Sequence, residues 1–321
     1  MKAPNPRLVP KNTRMGKPIR ANAGIEAEYK KRLQELIDAM FASLNWWLGA
    51  EYKRQQEKIL AYDAAAPWWR RTLNHVPAFD ASPARGMQQV LRQRMRQWMR
   101  TFDEDAARLA TWFANRANTS ATAATSASIA DVAGFAVKFK PTRAMNNAMQ
   151  SLVAENVSLI RSLPQDAFAK LEGMVMRSVR SGRDLAGLAA DIEKTFEVTR
   201  SRARTIAHDQ NNKATEALSS VRMKSVGITQ AVWIHSGRGL HPRETHVAMH
   251  GKPFDLSGSE AGLYDSSVQQ RVMPGELVNC DCTKAPLVPA FSQGPADLAT
   301  VEAAAERIRQ ADEAARRAKN A

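Results

Sequence analysis

The sequence predicts a mainly α-helical protein of the α+β class, in which a helical bundle is followed by a small cap of strands and loops. Between residues 25 and 221, apolar side chains recur at intervals of three and four residues, which is the period of an amphipathic helix. After Gly227 the period changes to two over residues 228–235, as expected for a half-buried strand. A second strand is predicted at residues 283–288. Helices first and strands last are typical of α+β proteins.

The chain begins with a predicted disordered basic arm at residues 1–22. The arm contains six lysines and arginines, four prolines and no acidic residue, so it cannot bury enough apolar surface to fold alone. Four of its cations are candidate contacts to the phosphates of double-stranded DNA: Lys11, Arg14, Lys17 and Arg20. A basic arm that only keeps a protein soluble has the same composition.

Residues 23–130 are predicted to form a helical N-terminal region. It contains two tryptophan pairs, at 46–47 and 68–69, and adjacent positions point about 100° apart on a helix, so one ring of each pair is expected in the core. A basic helix is predicted at residues 86–100. Its further candidate DNA contacts are Arg92, Arg96 and Arg100. The alternative is a solvated face whose arginines bind nearby carboxylates such as Asp103 and Glu104.

The small polar residues 117–130 indicate a linker or a thinly packed helix, with a domain boundary near residues 120–140. A second unit is predicted at residues 131–290, beginning with a strand-like segment at 135–139. A charged, alanine-rich C-terminal helix is predicted at residues 291–321.

Within the second unit, the helix boundaries are predicted from breakers and caps. One helix is expected to stop before Pro164, because proline cannot donate to the helical hydrogen bonds. The last helix is expected to begin at Thr199, whose hydroxyl is a typical N-cap, and to end at Gly227 in the C′ position.

Charge and cysteine content limit the class of protein. The net charge of +14 and the pI near 10.1 favour an anionic partner, either nucleic acid or an acidic protein surface. Two cysteines are too few for a disulfide framework, so a reducing compartment, the cytoplasm, is expected. There is neither a run of about eighteen apolar residues nor an initial apolar stretch of signal-peptide length, so no membrane role is predicted.

Residues 233–282 contain the candidate site. Five of the six histidines lie between residues 208 and 250, and the only two cysteines follow. Imidazole and thiolate suit a structural zinc ion, whose candidate ligands are His241, His246, Cys280 and Cys282. A disulfide within Cys-x-Cys would be strained, because adjacent side chains in a strand point to opposite faces. The alternative is exposed histidines and free thiols that act as small hydrophobic residues.

The sequence predicts no enzyme and no catalytic residue. It contains no phosphate-cradling Gly-x4-Gly-Lys-Ser/Thr, no nucleophile elbow and no dinucleotide fingerprint. The enzymatic alternative is a metal-dependent hydrolase in which Glu244 serves as the base beside the metal. A salt bridge between Glu244 and the neighbouring Arg243 is the simpler interpretation of that carboxylate.

Five short sequence motifs occur in a fixed order at residues 175–185, 198–213, 227–233, 242–246 (Pro-Arg-Glu-Thr-His) and 274–282 (Pro-Gly-Glu-Leu-Val-Asn-Cys-Asp-Cys). Through these motifs, residues of about 150–290 resemble a known family, the phage head morphogenesis or Mu protein F-like minor capsid proteins. The resemblance implies a non-catalytic protein of a tailed-bacteriophage head, present in few copies at the portal or the capsid interior. It implies a role in head assembly or in the handling of packaged DNA, with portal, major capsid or scaffolding proteins as partners.

The resemblance also assigns residues. The recurrent histidine and Cys-x-Cys of the family fall on His246, Cys280 and Cys282, while two positions depart from its pattern. His208 and Asp281 stand where the family commonly has arginine, and each change removes a positive charge from a candidate phosphate contact. The first 140 residues contain no motif of the family, so their role is inferred from charge alone. That charge supports an alternative function, a DNA-binding protein ejected with the genome.

Overall fold

The computed structural model describes residues 13–65, 83–180, 185–237 and 242–289. Their helices are α1 (Ala23–Ala65), α2 (Pro83–Ala133), α3 (Arg143–Arg180), α4 (Leu185–Ser225) and the short α5 (Glu244–Met249). Their strands are β1 (Thr13–Met15), β2 (Gln230–Ile234), β3 (Pro253–Asp255), β4 (Leu263–Asp265), β5 (Gln270–Val272) and β6 (Thr283–Pro289). The predicted class, mainly α with a small strand-bearing cap, is confirmed.

The chain divides into two compact units. The helical unit consists of Tyr29–Leu109 and Glu155–Ile206. The strand-bearing unit consists of Met1–Glu28, Ala110–Ala154 and Ala207–Ala321. This division differs from the predicted one into residues 23–130 and 131–290, because α2, α3 and α4 each contribute residues to both units.

The helical unit is a bundle of four helical segments with an apolar core. The stripe predicted on α1 forms part of this core, since Leu33, Ile37, Met40 and Leu44 are fully buried. Tyr29 and Asn156 tie α1 to α3 through a buried hydrogen bond of 2.8 Å. Phe41 packs on Phe196 of α4, with the ring centroids 5.2 Å apart.

The first tryptophan pair lies at the edge of this core. Trp47 is half-buried, and the guanidinium of Arg94 lies 3.6 Å from the centre of its ring. Trp46 is 64% exposed and meets Trp47 edge to face. The expected insertion of one ring deep into the core is therefore not observed for this pair. The second pair, at 68–69, lies outside the described residues.

Residues 117–130 belong to α2, so of the two predicted alternatives the helix is observed and the linker is not. Three threonine hydroxyls bond back to carbonyls four residues earlier, which satisfies them inside a helix: Thr119 to Asn115, Thr122 to Asn118 and Thr125 to Ala121. The small side chains of Ala117, Ala121, Thr125 and Ser128 are buried, so this face permits close packing. The segment at 135–139, predicted as a strand, contains no strand.

Two predicted helix boundaries are wrong. Pro164 lies inside α3, which continues to Arg180. Thr199 lies inside α4, where its hydroxyl donates to the carbonyl of Thr195 instead of capping a new helix. The prediction for Gly227 agrees with the structure, because this glycine follows α4 with a φ of 81° in the left-handed region.

The strand-bearing unit contains a four-stranded antiparallel sheet in the order β1-β6-β2-β3, and a separate hairpin of β4 and β5. The predicted strands correspond to β2 and β6, which pair so that Trp233 lies opposite Lys284. Four of the five residues of β2 are buried, because both faces of this central strand are covered. The strand predicted to bury only one face, β2, is thus buried on both faces.

The described part of the predicted basic arm is ordered. Thr13–Met15 forms β1, the edge strand that pairs with β6, and Ile19 is buried in the core of the unit. The hydroxyl of Ser128 donates to the carbonyl of Lys17 at 2.5 Å. Residues 13–22 therefore belong to the fold, in contrast to the predicted disorder.

Among the helices of the described residues, none combines the length and apolar character that a membrane crossing needs. The predicted C-terminal helix at 291–321 lies outside the described residues.

Candidate metal site

The strand-bearing unit brings together three of the four predicted zinc ligands. The donor atoms of His246, Cys280 and Cys282 all lie within 4.8 Å of one another, and all three residues are buried. His246 Nδ1 is 3.3 Å from the sulfur of Cys280 and 3.7 Å from that of Cys282. These three residues, the His–Cys cluster, could hold a metal ion.

His246 is positioned by the short helix α5, and its imidazole faces the core. Its Nε2 lies 3.1 Å from Oδ2 of Asp265, the last residue of β4, which is fully buried. The indole of Trp233 on β2 meets the imidazole edge to face, with the ring centroids 5.1 Å apart. The start of α5 is tied to the cysteine loop, because Arg243 donates to the carbonyl of Val278 at 3.0 Å.

The two cysteines lie on the loop that leads into β6. Neither forms a disulfide, so the predicted absence of a Cys-x-Cys bridge agrees with the structure. The loop turns sharply at Gly275, which has a φ of 84° that side-chain-bearing residues rarely adopt. A Cβ at Gly275 would also approach the carbonyl oxygen of Cys282 to 3.3 Å.

The electrostatics of the His–Cys cluster favour one thiolate. The hydrogen bond from Cys282, together with those from His246 and the backbone N–H groups of Cys282 and Gly275, lowers the pKa of Cys280 to about 4, against the opposing effect of burial. The neighbouring Cys280 and burial raise the pKa of Cys282. Burial would lower the pKa of His246, but its contacts with Cys280 and Asp265 outweigh burial and raise it. A sulfur that already favours its anionic form is suited to a metal cation.

Helix α4 holds the cysteine loop through side chains on one face. Asn212 donates to the carbonyl of Cys280 at 3.1 Å, and Asp209 accepts the backbone N–H of Asn279 at 2.7 Å. One turn further along α4, Glu216 pairs with the buried ammonium of Lys284 at 2.6 Å. These contacts fix the backbone on both sides of the cysteines.

The two departures from the family pattern contact each other. His208 Nε2 lies 3.1 Å from Oδ1 of Asp281, and His208 Nδ1 lies 3.3 Å from Oε1 of Glu26. The hydrogen bond that His208 donates to Asp281 is the largest effect, and with the charge of Glu26 it raises the pKa of His208 to about 9, although burial opposes the shift. A histidine and an aspartate at these positions therefore form an ion pair beside the cysteine loop.

The other predicted site residues are not in the cluster. His241 lies outside the described residues. Glu244, the candidate base, is exposed in the first turn of α5 and is not among the residues whose donor atoms converge. His235 donates its backbone N–H to His250 Nδ1 at 3.1 Å, so these two histidines contact each other at the end of β2.

Sequence reasoning missed Asp265, Asp209 and Asn212, the polar residues that surround the cluster. Asp265 lies in a short strand followed by a turn, and no spacing in the sequence relates it to His246, nineteen positions earlier. Asp209 and Asn212 lie in the motif at residues 198–213, and its resemblance to the family is the only signal that could have indicated them as residues of the site.

The candidate DNA contacts lie in separate places. Lys11 is outside the described residues. Arg14 and Arg20 are exposed near the edge of the sheet, and Lys17 pairs with Asp131 at 2.6 Å. On α2, Arg92 lies 3.5 Å from Glu172, whereas no carboxylate of the described residues pairs with Arg96 or Arg100. The predicted partner Asp103 binds Arg161 of α3 instead.

Comparison with known proteins finds a family match over part of the chain. Residues 169–285 match the family described as Phage Mu protein F like protein, which confirms the predicted resemblance over this stretch. The chain is 24% identical over 274 residues to an uncharacterised protein of Haemophilus influenzae, covering 85% of this chain and 55% of that protein. The chain thus spans about half the length of this curated relative. No solved structure matches the chain.

Proposed function

Because residues 169–285 are phage Mu protein F like, we propose that the chain is a minor capsid, or head morphogenesis, protein of a tailed bacteriophage. It is made in the host cytoplasm and becomes part of the virion at the interior of the capsid. Its partners there are the portal protein and the major capsid or scaffolding proteins. The observation that carries this proposal is the family match, which includes the whole His–Cys cluster.

The test is assembly with the portal. A tagged copy of the full chain is co-expressed with the portal, major capsid and scaffolding proteins of the same phage, and procapsids are purified by sedimentation. The tagged chain is expected in the procapsid fraction at a few copies per particle, and deletion of its gene is expected to reduce the yield of DNA-filled heads. Normal heads without the chain, together with its absence from procapsids, would refute the proposal.

The proposal gives the His–Cys cluster a structural role, namely binding one zinc ion. Usual zinc bond lengths and tetrahedral geometry place a coordinating nitrogen and sulfur about 3.6 Å apart. The observed separations from His246 Nδ1 to the two sulfurs, 3.3 Å and 3.7 Å, lie on either side of that value. The buried, thiolate-favouring environment also fits zinc, which would join α5 to the loop before β6.

Elemental analysis of the purified protein tests the zinc. About one zinc per chain is expected, and the double variant Cys280→Ser, Cys282→Ser is expected to lose both the metal and part of the thermal stability. Because serine is nearly isosteric with cysteine, packing changes little in this variant. Metal-free wild-type protein with an unchanged melting temperature after chelation would leave the cluster with a packing role alone.

A second candidate function, binding of packaged DNA, is favoured by the exposed arginines of α2. Arg92, Arg96 and Arg100 recur every four residues and therefore lie along one face of the helix, here called the basic ridge. Arg96 and Arg100 pair with no carboxylate of the described residues, so their charge is available to phosphate. In this candidate function the protein is ejected from the head with the genome.

Salt dependence tests the basic ridge. Binding of double-stranded DNA is expected to weaken as salt rises, by a log-log slope of about 0.9 per phosphate contact. Arg96→Gln with Arg100→Gln is expected to reduce that slope by about 2, while Arg108→Gln, whose arginine pairs with Asp105, serves as a matched control. An unchanged slope in the double variant would exclude the basic ridge as the DNA surface.

A further inference from the structure

The geometry around His246 points to a role for Asp265, and this inference rests on the proposed zinc site. We infer that Asp265 is a positioning residue, which fixes the imidazole so that Nδ1 and not Nε2 binds the metal. Metal-binding histidines generally donate their second ring N–H to a carboxylate or carbonyl, and that partner sets the tautomer and the ring orientation. Asp265 is in the place of such a partner.

The carboxylate of Asp265 is held in an environment in which it can only accept hydrogen bonds. Its side chain is fully buried. Its Oδ1 accepts two hydrogen bonds from Ser267, from the backbone N–H at 2.8 Å and from the hydroxyl at 2.7 Å. Its Oδ2 lies 3.1 Å from His246 Nε2. Because the contact needs a donor, the proton of a neutral imidazole lies on Nε2.

The proton on Nε2 leaves a lone pair on Nδ1, which is the atom that faces both sulfurs. A flip of the ring would remove Nε2 from Asp265 and leave a buried carboxylate oxygen without its partner. The edge-to-face contact with Trp233 also restricts the ring. The ring is therefore held with Nδ1 towards both sulfurs before the metal arrives, and the metal takes the place of any proton on Nδ1.

The sulfur side is held by different residues. Asn212 and Asp209 of α4 fix the backbone at Cys280 and Asn279, and neither is among the contacts of Asp265. A change at Asp265 is thus expected to disturb the imidazole while leaving the cysteine loop in place. This separation makes the role of Asp265 testable by itself.

The experiment compares the zinc affinity of the full-length wild-type protein with that of Asp265→Asn, by competition with a chromophoric chelator. Asparagine keeps the size of the side chain but removes the charge and allows its amide to donate to Nε2. Affinity is expected to fall by about 10- to 100-fold. The matched control is Asp255→Asn, because Asp255 lies in β3 of the same unit and accepts from Gln230 rather than from His246. The control is expected to bind zinc as the wild type does.

The second readout is the nitrogen NMR spectrum of the His246 ring in the wild-type protein, which does not depend on whether the variant folds. With zinc bound, Nε2 is expected to carry the proton and Nδ1 to show the shift of a metal ligand. Before zinc is added, Nε2 is expected to carry a proton as well, because its contact with Asp265 is present without the metal. A zinc-bound spectrum with Nε2 as the ligand would overturn the inference.

The outcomes separate the inference from the proposals on which it rests. Wild-type protein that binds zinc, with the same affinity in Asp265→Asn, would refute the role of Asp265 and leave the zinc site standing. Wild-type protein that binds no zinc would refute the zinc site and the inference together. Neither result would bear on head assembly, which is tested by association with procapsids.

Discussion

Two buried charged residues of the strand-bearing unit, Lys284 and Asp265, each have a specific partner. The ammonium of Lys284 is almost fully buried, and it donates to both the carboxylate and the backbone carbonyl of Glu216, as well as to the hydroxyl of Ser220. Burying such a charge without a partner would cost several kcal/mol, so the pair must form together. The same rule accounts for His246 with Asp265.

The ion pair of His208 predicts a pH dependence of stability. The pKa of His208 is raised to about 9 in the folded protein, against about 6.5 in an unfolded chain. Its stabilising contribution is therefore fully present below about pH 6.5 and is lost as the pH rises through about 9. The difference in unfolding free energy between the wild type and His208→Gln is expected to shrink over that range, as measured by urea denaturation.

Asp281→Asn provides the control for this prediction. Removing the carboxylate is expected to bring the NMR-measured pKa of His208 down towards its ordinary value, because Asp281 is the largest cause of the shift. A pKa that stays near 9 in Asp281→Asn would show that the pair does not act as described.

At the level of elements, the polar second half of α2 packs closely because its side chains are small. Ala117, Ala121 and Thr125 are buried on one face of the helix. Arg222 of α4 donates to both the carbonyl and the side chain of Asn118, which joins the two helices. Helices with small residues at their contact can approach more closely than helices with leucine there. The absence of large apolar residues, which suggested a linker or a thinly packed helix, is what this contact requires.

Enlarging a residue on this face tests the close contact. Ala121→Leu is expected to destabilise the protein by about 1–3 kcal/mol, because the added atoms have no space and force the helices apart. Ala123→Leu is the matched control, since Ala123 is exposed on the same helix two residues further on. Thermal melting of both variants checks the prediction. Equal melting temperatures would contradict it.

At the level of the whole molecule, the sheet joins segments that are far apart in the sequence. β1 pairs with β6, so Thr13 lies opposite Pro289. The backbone N–H of Gly16 donates to Pro286 at 2.9 Å, and that of Ile19 donates to Lys284 at 2.8 Å. The segment that composition marks as a charged arm thus covers the strand that follows Cys282.

Truncation distinguishes an ordered segment from a dispensable arm. Removing residues 1–20 is expected to lower the unfolding free energy by about 2–5 kcal/mol, because the burial of Ile19 and the pairing of β1 are lost. Removing only residues 1–11 keeps β1 and Ile19, so the unfolding free energy is expected to fall by less. Urea denaturation of the two truncated proteins measures the difference. Equal midpoints would show that β1 contributes nothing to stability.

The sequence alone determined the features that depend on local periodicity and on residue type. The period of three to four indicated the helices, and the change of period after Gly227 indicated β2. The soft ligands indicated that His246, Cys280 and Cys282 belong to one site. The sequence motifs in their fixed order indicated the family that matches residues 169–285.

Only the tertiary structure decided the remaining features, because they depend on contacts between distant positions. Pro164 and Thr199 remain inside helices although local rules favour an end and a start. At Pro164 packing outweighs the cost of one missing backbone hydrogen bond, and at Thr199 the hydroxyl bonds to the carbonyl of Thr195 within the helix. The pairing of β1 with β6 and the contact of Asp265 with His246 have no local signature. The tertiary fold brings the buried carboxylate of Asp265 to His246, and the sequence separation of the two residues does not indicate this contact.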